Sequence, residues 1–374
     1  MYADTLRSPE LRHEVPAAIM DPFLYAERDG VRNAVLSQLD ADGARAGCPD
    51  LRVIEPEALG FDELLADGLV AELALLELAV RACHELGVES AAVPPGFPLE
   101  LADRLRSEGI ALRIDRELFI KRRRAKSAPE LEGVRRALRA AEAGIAAAAE
   151  HLLAAEPRDA ALVLDGEPLT CERVKAAVRA AITERGAVAE GMIVSHGAQT
   201  AIGHDRGSGP IAPGEPVVVD LWPFDPESGC YADMTRTFVV GDPGDELRGW
   251  HALCLEALER AVQAVRPGIR GRALHELVCG LFHEHGYPTQ LSKRPGEILR
   301  DGFFHALGHG VGLEPHEAPN VGRSQTDELV MGDVLALEPG LYRHGFGGCR
   351  VEDLVRVSEA GAERLTEFPY GLEP

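Results

Sequence analysis

The 374-residue chain has no apolar run long enough to cross a bilayer. Its greasiest stretch, Gly68 to Gly87, is broken by Glu72, Glu77, Arg81 and Glu85, which excludes a membrane-spanning helix there. The first fifteen residues carry charges throughout and no apolar centre, so they do not read as a secretory signal. Cationic charge is scarce: 39 Lys and Arg stand against 61 Asp and Glu, a formal net charge of -22. That balance argues against nucleic acid and anionic membranes as partners, because both need a basic face. C-x-x-C pairs are absent, and the seven cysteines are scattered without a pairing pattern. An odd, scattered set points to reduced thiols in a cytoplasm, most of them small core residues. Low-complexity segments and repeats are lacking too. What remains is an ordinary globular composition, 45% hydrophobic and 27% charged, in a chain whose length favours two domains.

Residues 1–125 read as a small α/β domain. Strands are expected at 33–38, 51–54, 90–93 and 111–114, and helices at 61–86 and 99–107. No titratable cluster in this half has the spacing of a ligand set. The basic run Lys121-Arg122-Arg123-Arg124-Ala125-Lys126 reads as a solvated surface at the junction. Ser127 and Glu130 then form a capping box, followed by Leu131, Val134, Leu138, Ala141 and Ile145 at steps of three and four. This amphipathic helix opens a second domain, 126–374. Further helices are expected at 172–185 and 247–265, and strands at 192–194, 217–219, 334–337 and 351–357. Helices first, then strands alternating with helices, read as α+β with a mostly antiparallel sheet.

Four carboxylates interrupt or end apolar strand patterns in that half. Asp220 follows Val217-Val218-Val219, Asp233 precedes Thr235-Arg236-Thr237-Phe238, Glu338 follows Val334 to Leu337, and Glu352 follows Arg350-Val351. One such residue is ordinarily explained by a neighbouring arginine. Four in one domain call for a shared counter-charge, and metal ions supply it most simply. A second ingredient is the histidine-rich segment His305 to Glu317. Its glycines at 308, 310 and 312 argue against a helical His-x-x-x-His zinc site and for an extended backbone passing close to a ligand. Strand alternation puts Arg350 and Glu352 on one face.

These motifs resemble the pita-bread metallopeptidase superfamily, which includes methionine aminopeptidase, aminopeptidase P, prolidase and creatinase. The resemblance runs from about Ser127 to the end and rests on Val-Asp220-Leu, Ala-Asp233-Met-Thr-Arg-Thr, Gly-His309-Gly-Val-Gly, Leu-Glu338-Pro-Gly-Leu-Tyr and Arg350-Val-Glu352-Asp. The first domain resembles its counterpart in the aminopeptidase P, prolidase and creatinase branch only loosely. The resemblance implies a carboxy-terminal pita-bread fold behind a smaller amino-terminal α/β domain. It also implies two divalent ions, manganese first, with cobalt, zinc or iron as alternatives. Asp220 would hold one ion, His309 and Glu338 the other, and Asp233 and Glu352 both. Ions roughly 3.5 Å apart can carry a bridging water and lower its pKa, giving the hydroxide that attacks the scissile carbonyl. Glu338 would move the proton. His204, His305 and His316 match the family's catalytic and substrate histidines, with Arg350 and Tyr342 at further pocket positions.

The implied activity is a cytoplasmic, homodimeric exopeptidase that cuts the first peptide bond of small peptides, at Xaa-Pro. The alternatives are a creatinase-like C–N hydrolase and a peptide-binding member without catalysis. Two departures concern the substrate. Asp220 and Asp233 lie farther apart than is usual in the family, which predicts a longer hairpin loop from Trp222 to Cys230. Glu338 and Glu352 lie close together for the proline-specific branch. Asp225 and Glu227 in the loop are expected to serve the turn rather than the metals.

Overall fold

A computed structural model describes residues 1–374, which divide into two compact units, Met1–Arg123 and Arg124–Pro374. In the first unit, Tyr2–Ala3, Phe23–Arg28, Val31–Val35 and Arg52–Ile54 form a four-stranded sheet in that order. Ser90–Val93 and Ala111–Ile114 pair in parallel as a second, two-stranded sheet. The strand expected at 33–38 ends at Val35, because Ser37 takes the extended N-cap conformation and the helix Gln38–Gly47 begins. The single helix expected at 61–86 is two helices, Phe61–Ala66 and Ala71–Glu85. Gly68, at φ 90°, breaks it; a left-handed backbone cannot continue a right-handed helix.

The basic run corrects the solvated-surface reading. It lies on and just after the helix Arg116–Arg124, and Arg123 and Arg124 are buried. Arg122 bonds Glu14 and Glu27, at 2.8 and 2.6 Å. Arg124 holds the buried Asp333 at 2.9 and 2.6 Å, and Lys126 pairs with Glu317. Counting charges along the sequence missed carboxylates that are distant in the chain but close in the fold.

The second unit opens with the helix Ala128–Leu153, started by the Ser127–Glu130 capping box at 3.3 and 2.7 Å. Leu131, Val134, Leu138, Ala141 and Ile145 are all buried. They join the helix Cys171–Glu184 and the strands Met192–His196, Val217–Leu221 and Met234–Phe238 in one core. Those three strands form an antiparallel sheet. A second antiparallel sheet runs in the order Glu317–Val321, Gly308–Gly310, Val334–Leu337, Asp353–Ser358, Gly361–Arg364. The helices Gly244–Ala264 and Gly271–Glu284 pack against it in a second core. The architecture is therefore α+β.

The strand expected at 351–357 starts only at Asp353. Arg350 ends the hairpin strand Gly347–Arg350, and Val351 and Glu352 lie between strands. There Val351 N–H donates to Pro339 O at 3.3 Å and Glu352 N–H to Thr235 O at 3.1 Å. This crossing between sheets, rather than simple alternation, sets the directions of Arg350 and Glu352. All seven cysteines are free and buried. No helix is long and apolar enough to cross a membrane.

Candidate metal centre and substrate cavity

Each acidic side chain reaches the centre for a local reason. Val217, Val219 and Leu221 turn into the core, so alternation sends Asp220 to the opposite face. Ile193 and Thr235 stand directly opposite Asp220 on the neighbouring strands and share that face. Asp233, just before its strand, and Thr235 follow the same period. Glu338 follows the fully buried strand Val334–Leu337, and its N–H donates to Leu307 O at 2.8 Å. His309 lies on the adjacent strand, opposite Ala336. That strand is extended, as the glycines predict, but the close approach is to protein. A Cβ on Gly308 would lie 1.9 Å from Ala336 O, so any larger residue would push the strands apart.

Side-chain ligand atoms of Asp220, Asp233 and Glu352 lie within 4.8 Å of one another, as do those of Asp233, His309 and His316. His309 Nε2 is 3.8 Å from both Asp233 Oδ2 and Glu338 Oε1. The five residues singled out as ligands thus converge, with His316 beside them. Four carboxylates face one guanidinium, Arg350, leaving a formal excess of three negative charges. Burial, then the charges of Glu352, Asp220 and Glu338, pushes the Asp233 carboxyl far above its ordinary range. Burial, then Glu352, raises Glu338. Burial, then Asp220, pushes Glu352 up to about 8. Such a group is short of positive charge, and oxygen donors with one imidazole suit divalent transition ions. The donor set therefore fits a metal pair.

Arg350 and Thr235 brace these carboxylates. Arg350 Nη2 donates to Asp220 Oδ2 at 2.5 Å, Nη1 to the Tyr342 hydroxyl at 3.0 Å and Nε to Thr235 Oγ1 at 3.3 Å. Thr235 Oγ1 donates to Glu352 Oε2 at 2.7 Å. Burial opposes the charge on Arg350, but Tyr342, Asp220 and Glu338 outweigh it and keep the guanidinium ionised. With all three nitrogens engaged, Arg350 orients Asp220. Thr235 was not singled out in the sequence; its period-two spacing from Asp233 was the available signal.

The histidines divide by how they are held. His309 Nδ1 bonds Gly310 O at 3.1 Å, which leaves Nε2 facing the carboxylates. Burial, then His316, lowers its pKa to about 4, so the imidazole is neutral at ordinary pH, as a metal ligand must be. His305 Nδ1 bonds Ala306 O at 2.8 Å and Nε2 meets the Tyr342 hydroxyl at 3.0 Å. Burial, then Arg350, lowers its pKa to about 3. Both His305 nitrogens are used within the protein, and Tyr342 is buried between His305 and Arg350. His316 packs against His309 with ring centroids 4.1 Å apart, and it and His204 are exposed.

A cavity of about 700 Å³ opens onto this centre, lined by His204, His305, His309, His316 and the four carboxylates. Its other walls include Ile193, Ile202, Phe304 and Arg206, which the sequence did not reveal because they come from separate segments. The long loop contributes Trp222 to the cavity. Asp225, in contrast, is tied to the helix Ala128–Leu153 by Arg136 at 3.0 and 2.8 Å and accepts from Ser228 N–H and Oγ–H at 2.8 and 2.6 Å. It serves the turn.

A family model described as metallopeptidase family M24 matches residues 132–359. A Xaa-Pro dipeptidase of Pyrococcus horikoshii is 32% identical over 294 residues, 77% of this chain and 75% of that protein. A Xaa-Pro dipeptidase of Pyrococcus furiosus is 39% identical over 178 residues, 47% of this chain and 47% of that protein, so this match spans about half the relative's length. An X-Pro aminopeptidase structure from Thermotoga maritima aligns with a TM-score of 0.79 at 22% identity, over 99% of this chain and 96% of that one. That likeness establishes the shared pita-bread fold.

Proposed function

From its place in metallopeptidase family M24, to which the chain belongs, we propose a metal-dependent exopeptidase that hydrolyses the first peptide bond of small peptides, at Xaa-Pro. Asp220, Asp233, His309, Glu338 and Glu352 hold two divalent ions in this reading. The observation that carries it is the convergence of these donors, with three carboxylates drawn within 4.8 Å of one another. Manganese is the first candidate metal, and a cytoplasmic homodimer completes the reading.

When bound, the ions supply Lewis acidity toward a carbonyl oxygen and toward water. The protein does the rest. Glu338, ionised as a metal ligand, accepts the proton of the attacking water and returns it to the leaving nitrogen. His316 and His204, exposed in the cavity, donate to the substrate carbonyl and flank the proline ring. His305, fixed by Tyr342 and Ala306 O, keeps its place 3.8 Å from Glu338. Arg350 and Thr235 hold Asp220 and Glu352 in their orientations. A tertiary Xaa-Pro amide has no N–H, and its ring fixes the backbone after the scissile bond. Trp222, Phe304, Ile193 and Ile202 give that ring apolar walls.

The test is release of free amino acid from Ala-Pro, Ala-Pro-Ala and Ala-Ala-Ala after loading with manganese. Hydrolysis of a proline peptide faster than Ala-Ala-Ala supports the reading. Faster cleavage of Ala-Ala-Ala than of both proline peptides refutes the proline assignment alone, and no cleavage of any of them refutes the peptidase.

A further inference from the structure

The cavity holds one cation with no protein partner. Arg206 lines it, as His204 and Trp222 do, yet its guanidinium makes no hydrogen bond or ion pair. Arg350, the other arginine in the cavity, has all three nitrogens engaged. Arg206 is also not on a free loop. Its carbonyl accepts from Val194 N–H at 3.3 Å, anchoring it to the strand Met192–His196. Next to it, Gly207 O accepts from Lys175 Nζ at 2.6 Å, and Gly207 N–H donates to Asp205 Oδ1 at 2.9 Å. A Cβ on Gly207, which has φ 77°, would lie 1.9 Å from Val194 O, so the turn is pressed onto the strand. The neighbouring carboxylate, Asp205, is thus committed to its own turn. The result is a pinned main chain with an uncommitted, five-donor side chain at the cavity wall.

Charge supplies the direction. The four carboxylates of the centre are matched by the two divalent ions and Arg350, so a substrate carboxylate lying away from the metals meets no counter-charge there. A substrate carboxylate therefore needs its own counter-charge elsewhere in the cavity, and a planar guanidinium matches it with two parallel hydrogen bonds. We propose that Arg206 binds a carboxylate on the residue that follows the scissile bond, and so selects which peptides the cavity accepts. The carboxylate has two sources: the free carboxy terminus of a dipeptide, or the side chain of an acidic residue. This inference rests on the exopeptidase reading, and it goes further by naming the substrate class.

The experiment compares kcat/KM for Ala-Pro and Ala-Pro amide, and for Ala-Asp amide and Ala-Asn amide, in the wild-type enzyme and in Arg206→Gln. Arg206 is exposed and outside the candidate metal ligands, so the variant is expected to fold and to keep its metals. A charge-assisted pair at a partly open site predicts about a tenfold preference for the carboxylate member, expressed in KM. The preference should fall to near one in Arg206→Gln while the uncharged peptides keep their rates. A tenfold ratio in the proline pair identifies the carboxy terminus as the source; in the Asp/Asn pair it identifies an acidic side chain. Unchanged ratios in the variant, or equal losses on charged and uncharged peptides, would overturn the proposal. Calorimetric titration with proline and prolinamide, and with aspartic acid α-amide and asparagine amide, needs no turnover. If the wild-type enzyme cleaves nothing, the peptidase reading fails, and the titrations alone decide Arg206. Tighter binding of a charged member that Arg206→Gln abolishes upholds the proposal, and equal binding within both pairs overturns it.

Discussion

Replacing Thr235 with valine removes one oxygen and leaves the volume nearly unchanged. That oxygen donates to Glu352 Oε2 at 2.7 Å and accepts from Arg350 Nε at 3.3 Å. Once metal is bound both partners are charged, and both are buried, so neither regains a water molecule in exchange. A hydrogen bond to a charged group contributes about 1.5–3 kcal/mol net. The 2.7 Å bond to Glu352 acts on a proposed ligand to both ions, and the longer bond from Arg350 acts through Asp220. Loss of a residue that orients a metal ligand typically costs about 10- to 100-fold in metal affinity. That range equals about 1.4–2.8 kcal/mol, in line with losing one such bond. Thr235→Val is therefore expected to fold and to bind manganese about 10- to 100-fold more weakly in a competition titration. Thr235→Ser, which keeps the oxygen, should bind nearly as well as the wild type. Equal affinity in the valine variant and the wild type would refute the claim that this hydroxyl holds Glu352 in place.

Four more outcomes follow from the same geometry. At saturating metal, Glu338→Gln should lose on the order of 10²-fold or more in kcat, measured as proline release from Ala-Pro, if Glu338 moves the proton. His316→Ala should lose kcat/KM on Ala-Pro equivalent to about 3 kcal/mol, with metal content at saturation unchanged by elemental analysis. In the metal-free protein, Glu352 is raised from its ordinary 4.5 to about 8. The folded state then binds more protons than the unfolded state between those values, so metal-free stability should fall as pH rises across that window. Because metal binding displaces those protons, manganese affinity should rise through pH 8, and calorimetry in buffers of different ionisation enthalpy should detect proton release.

The carboxylates that converge at the candidate centre were legible in the sequence because a carboxylate in or next to an apolar strand is a local anomaly, visible without knowing which strands pair. The helix that opens the second unit was legible for a related reason, since its capping box and buried stripe are both short-range patterns. Thr235 carried a faint version of the same signal, spaced two residues from Asp233. Arg206 carried none. Its importance lies in what it does not contact, and that depends on the turn being pinned to the strand Met192–His196. The basic run 121–126 misled for the opposite reason. Its partners Glu14, Glu27, Asp333 and Glu317 are far away in sequence, so the charges read as solvated. The helix expected at 61–86 overran because hydrophobic spacing continued past Gly68, where the backbone turns left-handed.

Metal counting shows whether these five side chains form a two-ion centre. The protein should be stripped with chelator, dialysed against manganese, and analysed for metal per chain alongside Asp233→Asn and His309→Ala. The expected result is about two ions in the wild type, both weakened by Asp233→Asn and mainly one weakened by His309→Ala. A wild-type content that stays near zero in metal-supplemented buffer would rule out the two-ion centre and favour a metal-free, creatinase-like hydrolase.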